Sequence, residues 1–213
     1  MPASNKAIQL SRAETTGATV LFADLRGYTA LAEMLPPARV VGLLDEFFEV
    51  LTRATLRHGG EVFHMAGDAM MAGFGLGEPG HRCARDALDA GHAMLRDFAP
   101  IAQRWREELA VEAGIGIGVH QGEVAVCLHG PPGRLATTLV GDTVNVAARL
   151  CGRARAGEVL FSATVANALA ADGNVPEKNA VPMQMLHLPQ FRLRGRSALV
   201  DIWCVPAVKR VAL

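Results

Sequence analysis

Asp24 ends a β-rich run, Ala18-Thr-Val-Leu-Phe-Ala-Asp24, and Asp68 lies between two short apolar runs, in Ala66-Gly67-Asp68. Two carboxylates brought to one edge of a sheet repel each other unless a cation joins them. Hard oxygen donors of this kind suit Mg²⁺ or Mn²⁺. Directly after Asp24, Arg26-Gly27-Tyr28-Thr29 leads into a predicted short helix, whose unpaired N–H groups offer a place for phosphate oxygens. Asn145 and Arg149 stand four apart in Asp142–Leu150, which puts them on one face of a helix. An amide beside a guanidinium can orient a sugar and neutralise an expanded phosphate. Together these residue types describe metal-assisted phosphoryl transfer. Each also has an ordinary reading: strand-end and turn positions for the aspartates, a solvated polar pair for the other two.

The elements that must position these residues can be read from periodicity. The run from Ala18 to Asp24 predicts a strand, and Thr29 is the expected N-cap of a helix through Met34. Pro36-Pro37 opens a longer helix in which Val40, Leu43, Leu44, Phe47, Val50 and Leu51 recur at three and four. Glu61–Met65 and Ala69–Phe74 predict a hairpin with Gly67 in its turn. A helix is expected from His81 to Leu109, interrupted at Pro100, followed by strands at Glu112–His120 and Glu123–Leu128 joined at Gln121-Gly122. Asp142–Leu150 reads as a helix, Val159–Ser162 as a strand and Ala163–Ala171 as a helix. Asp172–Pro189 reads as loop, and Phe191–Leu193 and Leu199–Val205 as closing strands. This order predicts an α+β fold: a ferredoxin-like, mostly antiparallel mixed sheet with helices on one face and a C-terminal strand extension. Residues 1–17 read as a lead-in or linker stub and 18–213 as one domain.

Composition narrows the function. The 213 residues are 50% hydrophobic and 20% charged, with 21 Lys plus Arg against 21 Asp plus Glu. A balanced charge offers no field for nucleic acid or an anionic membrane. The four cysteines are scattered, without the pairing that zinc needs, and read as buried thiols of a reducing compartment. No signal peptide or membrane-length apolar run is seen, so a cytoplasmic location is expected. Gly114-Ile-Gly116-Ile-Gly118 does not satisfy GxGxxG and behaves as a strand. GxxxxGK[ST] and GxSxG strings are both absent.

The motifs taken together resemble those of class III adenylyl and guanylyl cyclases. Val20-Leu-Phe-Ala-Asp-Leu-Arg-Gly-Tyr-Thr29 resembles the first metal motif, and Gly59 to Gly75 the second. His120-Gln-Gly-Glu-Val124 is similar to the following strand turn, Val140 to Leu150 to the transition-state helix, and Phe191-Arg-Leu-Arg-Gly195 to a closing strand motif. The resemblance implies that Asp24 and Asp68 hold two divalent cations, Mg²⁺ or Mn²⁺, with the Leu25 carbonyl as a further ligand. It implies substrate contacts at Gly27, Tyr28, Thr29 and Arg194, ribose positioning by Asn145, and transition-state charge stabilisation by Arg149. It also implies a head-to-tail homodimer in which the two sets of residues meet across the interface.

The base-reading positions depart from the family pattern. Adenylyl cyclases usually carry lysine where His64 stands and aspartate or threonine at the position aligned with Ala136, while guanylyl cyclases favour glutamate and a small residue. The strand arginine of some members aligns with Gly116. Three readings follow: a cyclase using ATP, one using GTP or both purines, or a catalytically inactive relative that binds nucleotide or a partner.

Overall fold

The computed structural model describes residues 14–76, 82–131, 133–171, 185–192 and 199–206. Its strands are β1 (Glu14–Arg26), β2 (Glu61–Ala66), β3 (Ala69–Phe74), β4 (Gly114–His129), β5 (Ala136–Val140), β6 (Glu158–Ser162), β7 (Leu186–Arg192) and β8 (Leu199–Pro206). The helices are α1 (Tyr28–Met34), α2 (Pro37–Arg57), α3 (Cys83–Leu109), α4 (Asp142–Cys151) and α5 (Ala163–Ala171). The strands form one sheet in the order β2-β3-β1-β4-β6-β8-β7, with β5 paired to the far half of β4. Only β4 and β6 run parallel among the described pairs. This is the α+β, mostly antiparallel architecture expected from the element order.

Alternation along β1 divides the core. Leu21, Ala23 and Leu25 face one side, where Leu31 of α1, Phe47 and Leu51 of α2, Leu88 and Met94 of α3 and Val165 of α5 are buried with them. Phe98 stands edge-on to Phe47 at 5.6 Å and to Trp105 at 5.3 Å, and the Trp105 indole N–H donates to Glu46 Oε2 at 3.3 Å. Ala18 and Val20 face the other side, which α4 covers with Val146, Ala147 and Leu150. Four helices thus lie on one face, but α4, which carries Asn145 and Arg149, lies on the other, unlike the expectation of helices on a single face, because the glycines of β4 admit it there.

Several boundaries differ from the sequence reading, each for a physical reason. β4 does not break at Gln121-Gly122, because β1 pairs with it without interruption from Glu14↔Val126 to Arg26↔Gly114. Pro100 does not interrupt α3, since it lies on the exposed side, where water reaches the carbonyl it leaves unpaired. Gly27, not Thr29, starts α1; its φ of 92° is the left-handed geometry that glycine adopts freely. β7 begins at Leu186 inside the expected loop and tolerates Pro189 at a register shift between Leu188 and Phe191.

The glycine string of β4 has a packing cause. A Cβ at Gly118 would sit 2.7 Å from Cys151 Cα, and one at Gly122 only 2.6 Å from Thr143 Oγ1. These glycines let α4 lie directly on the strand. Thr143 Oγ1 donates to Glu123 O at 2.6 Å, and the Cys151 thiol donates to Gly116 O at 3.2 Å, fixing the helix at both ends. Burial pushes the Cys151 thiol up to about 11, against the opposing pull of Arg26, and burial likewise raises Cys204 to about 11.

Two outcomes follow from this packing. Gly118→Ala should lower unfolding free energy by about 1–3 kcal/mol in urea titration, because helix backbone blocks the added methyl. An unchanged midpoint would mean that α4 can lift without cost. With iodoacetamide at pH 8, a thiol of pKa 11 is about one part in a thousand thiolate, so Cys151 and Cys204 should label far more slowly than half-buried Cys127. Peptide mass spectrometry reads the order, and equal labelling of Cys151 and Cys127 would contradict the burial of the α4 end.

Candidate active site

β1 is the centre from which the site is built. Asp24 lies opposite Ala69 of β3 and Gly116 of β4, and the Leu25 N–H donates to Asp68 O at 3.0 Å. The β2–β3 turn therefore places Asp68 next to the end of β1, as hairpin spacing predicts. Gly67 holds the turn with a φ of 60°. Both aspartates are only half-buried, so their carboxylates are reachable from solvent.

The charge balance of this corner is specific. Asp24 forms an ion pair with Arg26, two residues on and on the same face of β1. The Arg26 Nε–H donates to Ala154 O at 3.0 Å, and another guanidinium N–H donates to Cys151 O. The guanidinium consequently lies over Gly116, where a Cβ would come within 2.7 Å of Arg26 Nε and 2.8 Å of Ala154 O. Where the family resemblance places a strand arginine, a guanidinium is present, delivered from β1 instead of β4.

Among the described residues no cluster of three or more His, Cys, Asp or Glu side chains could hold a metal by itself. The donor set at this corner is two carboxylates plus backbone carbonyls, Leu25 included. That chemistry fits Mg²⁺ or Mn²⁺, ions that keep several waters and take their remaining oxygens from substrate phosphates. Gly27, Tyr28 and Thr29 follow at once, with Tyr28 packed against the core and Thr29 exposed at the start of α1. The first-turn N–H groups of that helix have no intrahelical acceptor.

Asn145 and Arg149 share one face of α4, but it is the face turned away from the sheet. Thr143, Val146, Ala147, Leu150 and Cys151 are the buried residues of α4, while Asn145 is exposed and Arg149 half-buried. At 100° per residue, the Asn145–Arg149 face lies roughly opposite the face of α4 that packs on the sheet. Among the described residues Arg149 makes no ion pair.

The two base-reading candidates are separated. His64 is exposed on β2 opposite Met71, and Ala136 is exposed at the start of β5 opposite His129. β5 meets β2 further along, around Leu139: its Cδ1 and Phe63 Cε2 both crowd the space above Gly73. Ala136 is three residues away from that contact, about 10 Å along the strand. Thr138 and His64 are the residues immediately beside the Leu139–Phe63 contact. Motif spacing passes over Thr138, and a strand prediction for 136–140 was the missing signal, since it alone shows which part of this segment meets β2. Arg194 lies outside the described residues.

Comparison with known proteins agrees with this architecture. The family model described as "Adenylate and Guanylate cyclase catalytic domain" matches residues 10–198. An adenylate cyclase of Anabaena cylindrica is 32% identical over 153 residues, covering 68% of this chain and 29% of that protein. Adenylate cyclase 1 of Rhizobium meliloti is 27% identical over 192 residues, covering 90% of this chain and 28% of its own length. The chain therefore spans less than a third of these relatives. Among solved structures, the adenylyl cyclase CyaB of P. aeruginosa superposes with a TM-score of 0.82 at 26% identity, covering 95% of this chain and all of that one. The guanylyl cyclase Cya2 superposes with a TM-score of 0.79 at 25% identity, covering 94% and 98%. A match to nearly the whole length, over a sheet whose acidic corner and α4 carry the expected motifs, shows that the chain belongs to the adenylate and guanylate cyclase catalytic domain family.

Proposed function

We propose that this chain is the catalytic unit of a nucleotide cyclase that converts ATP to 3′,5′-cyclic AMP and pyrophosphate at the interface of a head-to-tail homodimer. The observation that carries the proposal is the orientation of α4. Asp24 ends β1 on the side of the sheet that α4 covers, with Asp68 in the adjoining turn, while Asn145 and Arg149 point away from that sheet. One subunit therefore holds two half-sites, and a second copy is what brings the acidic corner of one against the outer face of α4 of the other.

The chemistry follows from what each group does. Asp24 and Asp68, with the Leu25 carbonyl, would hold two divalent cations. Bound there, they would supply the charge that acidifies the ribose 3′-hydroxyl and offsets the negative charge gathering on the α-phosphate. The N–H groups at the start of α1 donate to phosphate oxygens, and Gly27 gives that turn its shape. Asn145 of the facing subunit hydrogen-bonds the ribose and holds the 3′-oxygen in line with the α-phosphorus. Arg149 neutralises the equatorial oxygens as the new O–P bond forms and the bond to pyrophosphate breaks. Its lack of an ion pair among the described residues leaves that charge available for an anion from outside the subunit.

A second reading, GTP use alone or beside ATP, is favoured by the base-reading positions. His64 stands where a lysine is usual, and the residue placed near it is Thr138, with a hydroxyl in place of a carboxylate, not Ala136. Similarity to both an adenylyl and a guanylyl cyclase structure at nearly equal scores leaves the two purines on equal footing at the level of fold. Among the described residues no helix is long and apolar enough to cross a membrane.

Composite sites make a mixing experiment decisive. Asp24→Ala and Arg149→Ala chains should each be inactive, and mixing them should restore activity, because one site of the mixed dimer then carries both defects and the other none. Full subunit exchange without recovered cyclic nucleotide would exclude sites shared across the interface.

Base choice is read from product analysis with ATP and GTP, each with Mg²⁺ and with Mn²⁺. A site with no paired charge to leave unsatisfied should prefer ATP by only about tenfold in kcat/KM, the equivalent of ~1–2 kcal/mol from one hydrogen bond. A separation above a thousandfold would show that other residues read the base. Absence of cyclic product from either purine under all four conditions would mean an inactive, nucleotide-binding relative.

A further inference from the structure

We infer that Arg26 is a positioning residue that couples cation binding at Asp24 to the setting of α4, and so links the two half-sites carried by one subunit. The inference rests on the cyclase reading for what α4 does, and on geometry alone for the link itself. One guanidinium joins three groups: the Asp24 carboxylate, Cys151 O in the last turn of α4, and Ala154 O just beyond it at 3.0 Å from Nε. Arg26 and Asp24 are both largely covered, with side chains 26% and 25% exposed. This is therefore no solvated surface pair.

The surroundings are built around that contact. Gly116 leaves the space that the guanidinium fills, and any Cβ there would strike Arg26 Nε and Ala154 O at 2.7 and 2.8 Å. The carbonyls that Arg26 serves lie at and just beyond the negative end of α4, where a cation is favoured. The planar fork is needed to reach a carboxylate and two carbonyls at once; the point charge of a lysine cannot.

The consequence follows from charge. A divalent cation at Asp24 competes with a guanidinium for the same carboxylate, and the two positive groups repel. Cation binding therefore loosens Arg26 from Asp24 and leaves the carbonyls of α4 as its remaining partners. The helix so adjusted carries Asn145 and Arg149, which serve the opposite site of the dimer. Occupancy of one site is thereby felt at the other.

Four full-length chains test this: wild type, Arg26→Ala, Arg26→Gln and Arg26→Lys. Mn²⁺ alone is titrated without nucleotide and followed by the electron paramagnetic resonance signal of the free ion. Cyclic nucleotide formation is measured separately. Removing the charge in Arg26→Ala and Arg26→Gln should tighten Mn²⁺ binding by about threefold or more, while Arg26→Lys stays near wild type. kcat should fall at least tenfold in Arg26→Ala and less in Arg26→Gln, whose amide still donates to the α4 carbonyls, with KM for nucleotide little changed. A merely structural arginine would give weaker Mn²⁺ binding on removal, and that result, or unchanged Mn²⁺ affinity, overturns the inference. Equal kcat losses in Arg26→Ala and Arg26→Gln overturn it as well. If wild type itself makes no cyclic nucleotide, the cyclase reading fails, while the Mn²⁺ series still decides whether Arg26 competes for Asp24.

Discussion

The uninterrupted antiparallel ladder between β1 and β4 is the constraint from which the remaining geometry follows. Thirteen residue pairs, from Glu14↔Val126 to Arg26↔Gly114, hold the two longest strands of the sheet in a single register. Because side chains alternate across a sheet, a slip of one residue would send Leu21, Ala23 and Leu25 to the α4 side and bring Asp24 and Arg26 into the apolar core. The burial of those three apolar residues under α2 and α3 therefore also settles where the Asp24 carboxylate emerges. The same register places Gly116 beneath the guanidinium and Gly118 beneath α4.

Close approach of α4 to β4 decides which of its faces is presented outward. Alternate glycines remove the side chains that would hold the helix off, and Thr143 and Cys151 bond it to the strand at either end. A helix bound this tightly through one face can present only its other face outward. Asn145 and Arg149 occupy that outer face. A half-buried guanidinium without an ion pair among the described residues is an electrostatic cost that a neighbouring anion offsets. In the proposed dimer, substrate held by a second copy would bring that anion.

Arg26 stands where these two constraints meet. Its backbone belongs to the ladder, its charge answers Asp24, and its remaining donors reach the end of α4. In a family whose chemistry asks for positive charge near the phosphates, this chain brings a guanidinium over Gly116 from the neighbouring strand. A substitution at 116 and one at 26 would accordingly act on the same contact and should not be energetically independent.

Local signals in the sequence determined much of this protein. Apolar spacing specified α2 and α5, hairpin spacing specified the β2–β3 turn that carries Asp68, and four apart on a helix sufficed to put Asn145 beside Arg149. The ordered motifs, read together, specified the family. What escaped were features whose cause lies far along the chain. The polar start of β1 becomes strand because it pairs with Glu123 to Val126, and Gln121-Gly122 becomes strand because it pairs with Thr19 and Ala18. β5 is a short threonine-containing run that forms against β4, and without it the meeting point near Leu139, and hence Thr138, stays hidden. The glycines of β4 look like a strand-weakening oddity until α4 is laid on them. That Asn145 and Arg149 face away from the sheet was likewise decided only in three dimensions, because a helix periodicity tells which residues share a face but not which face the sheet will take.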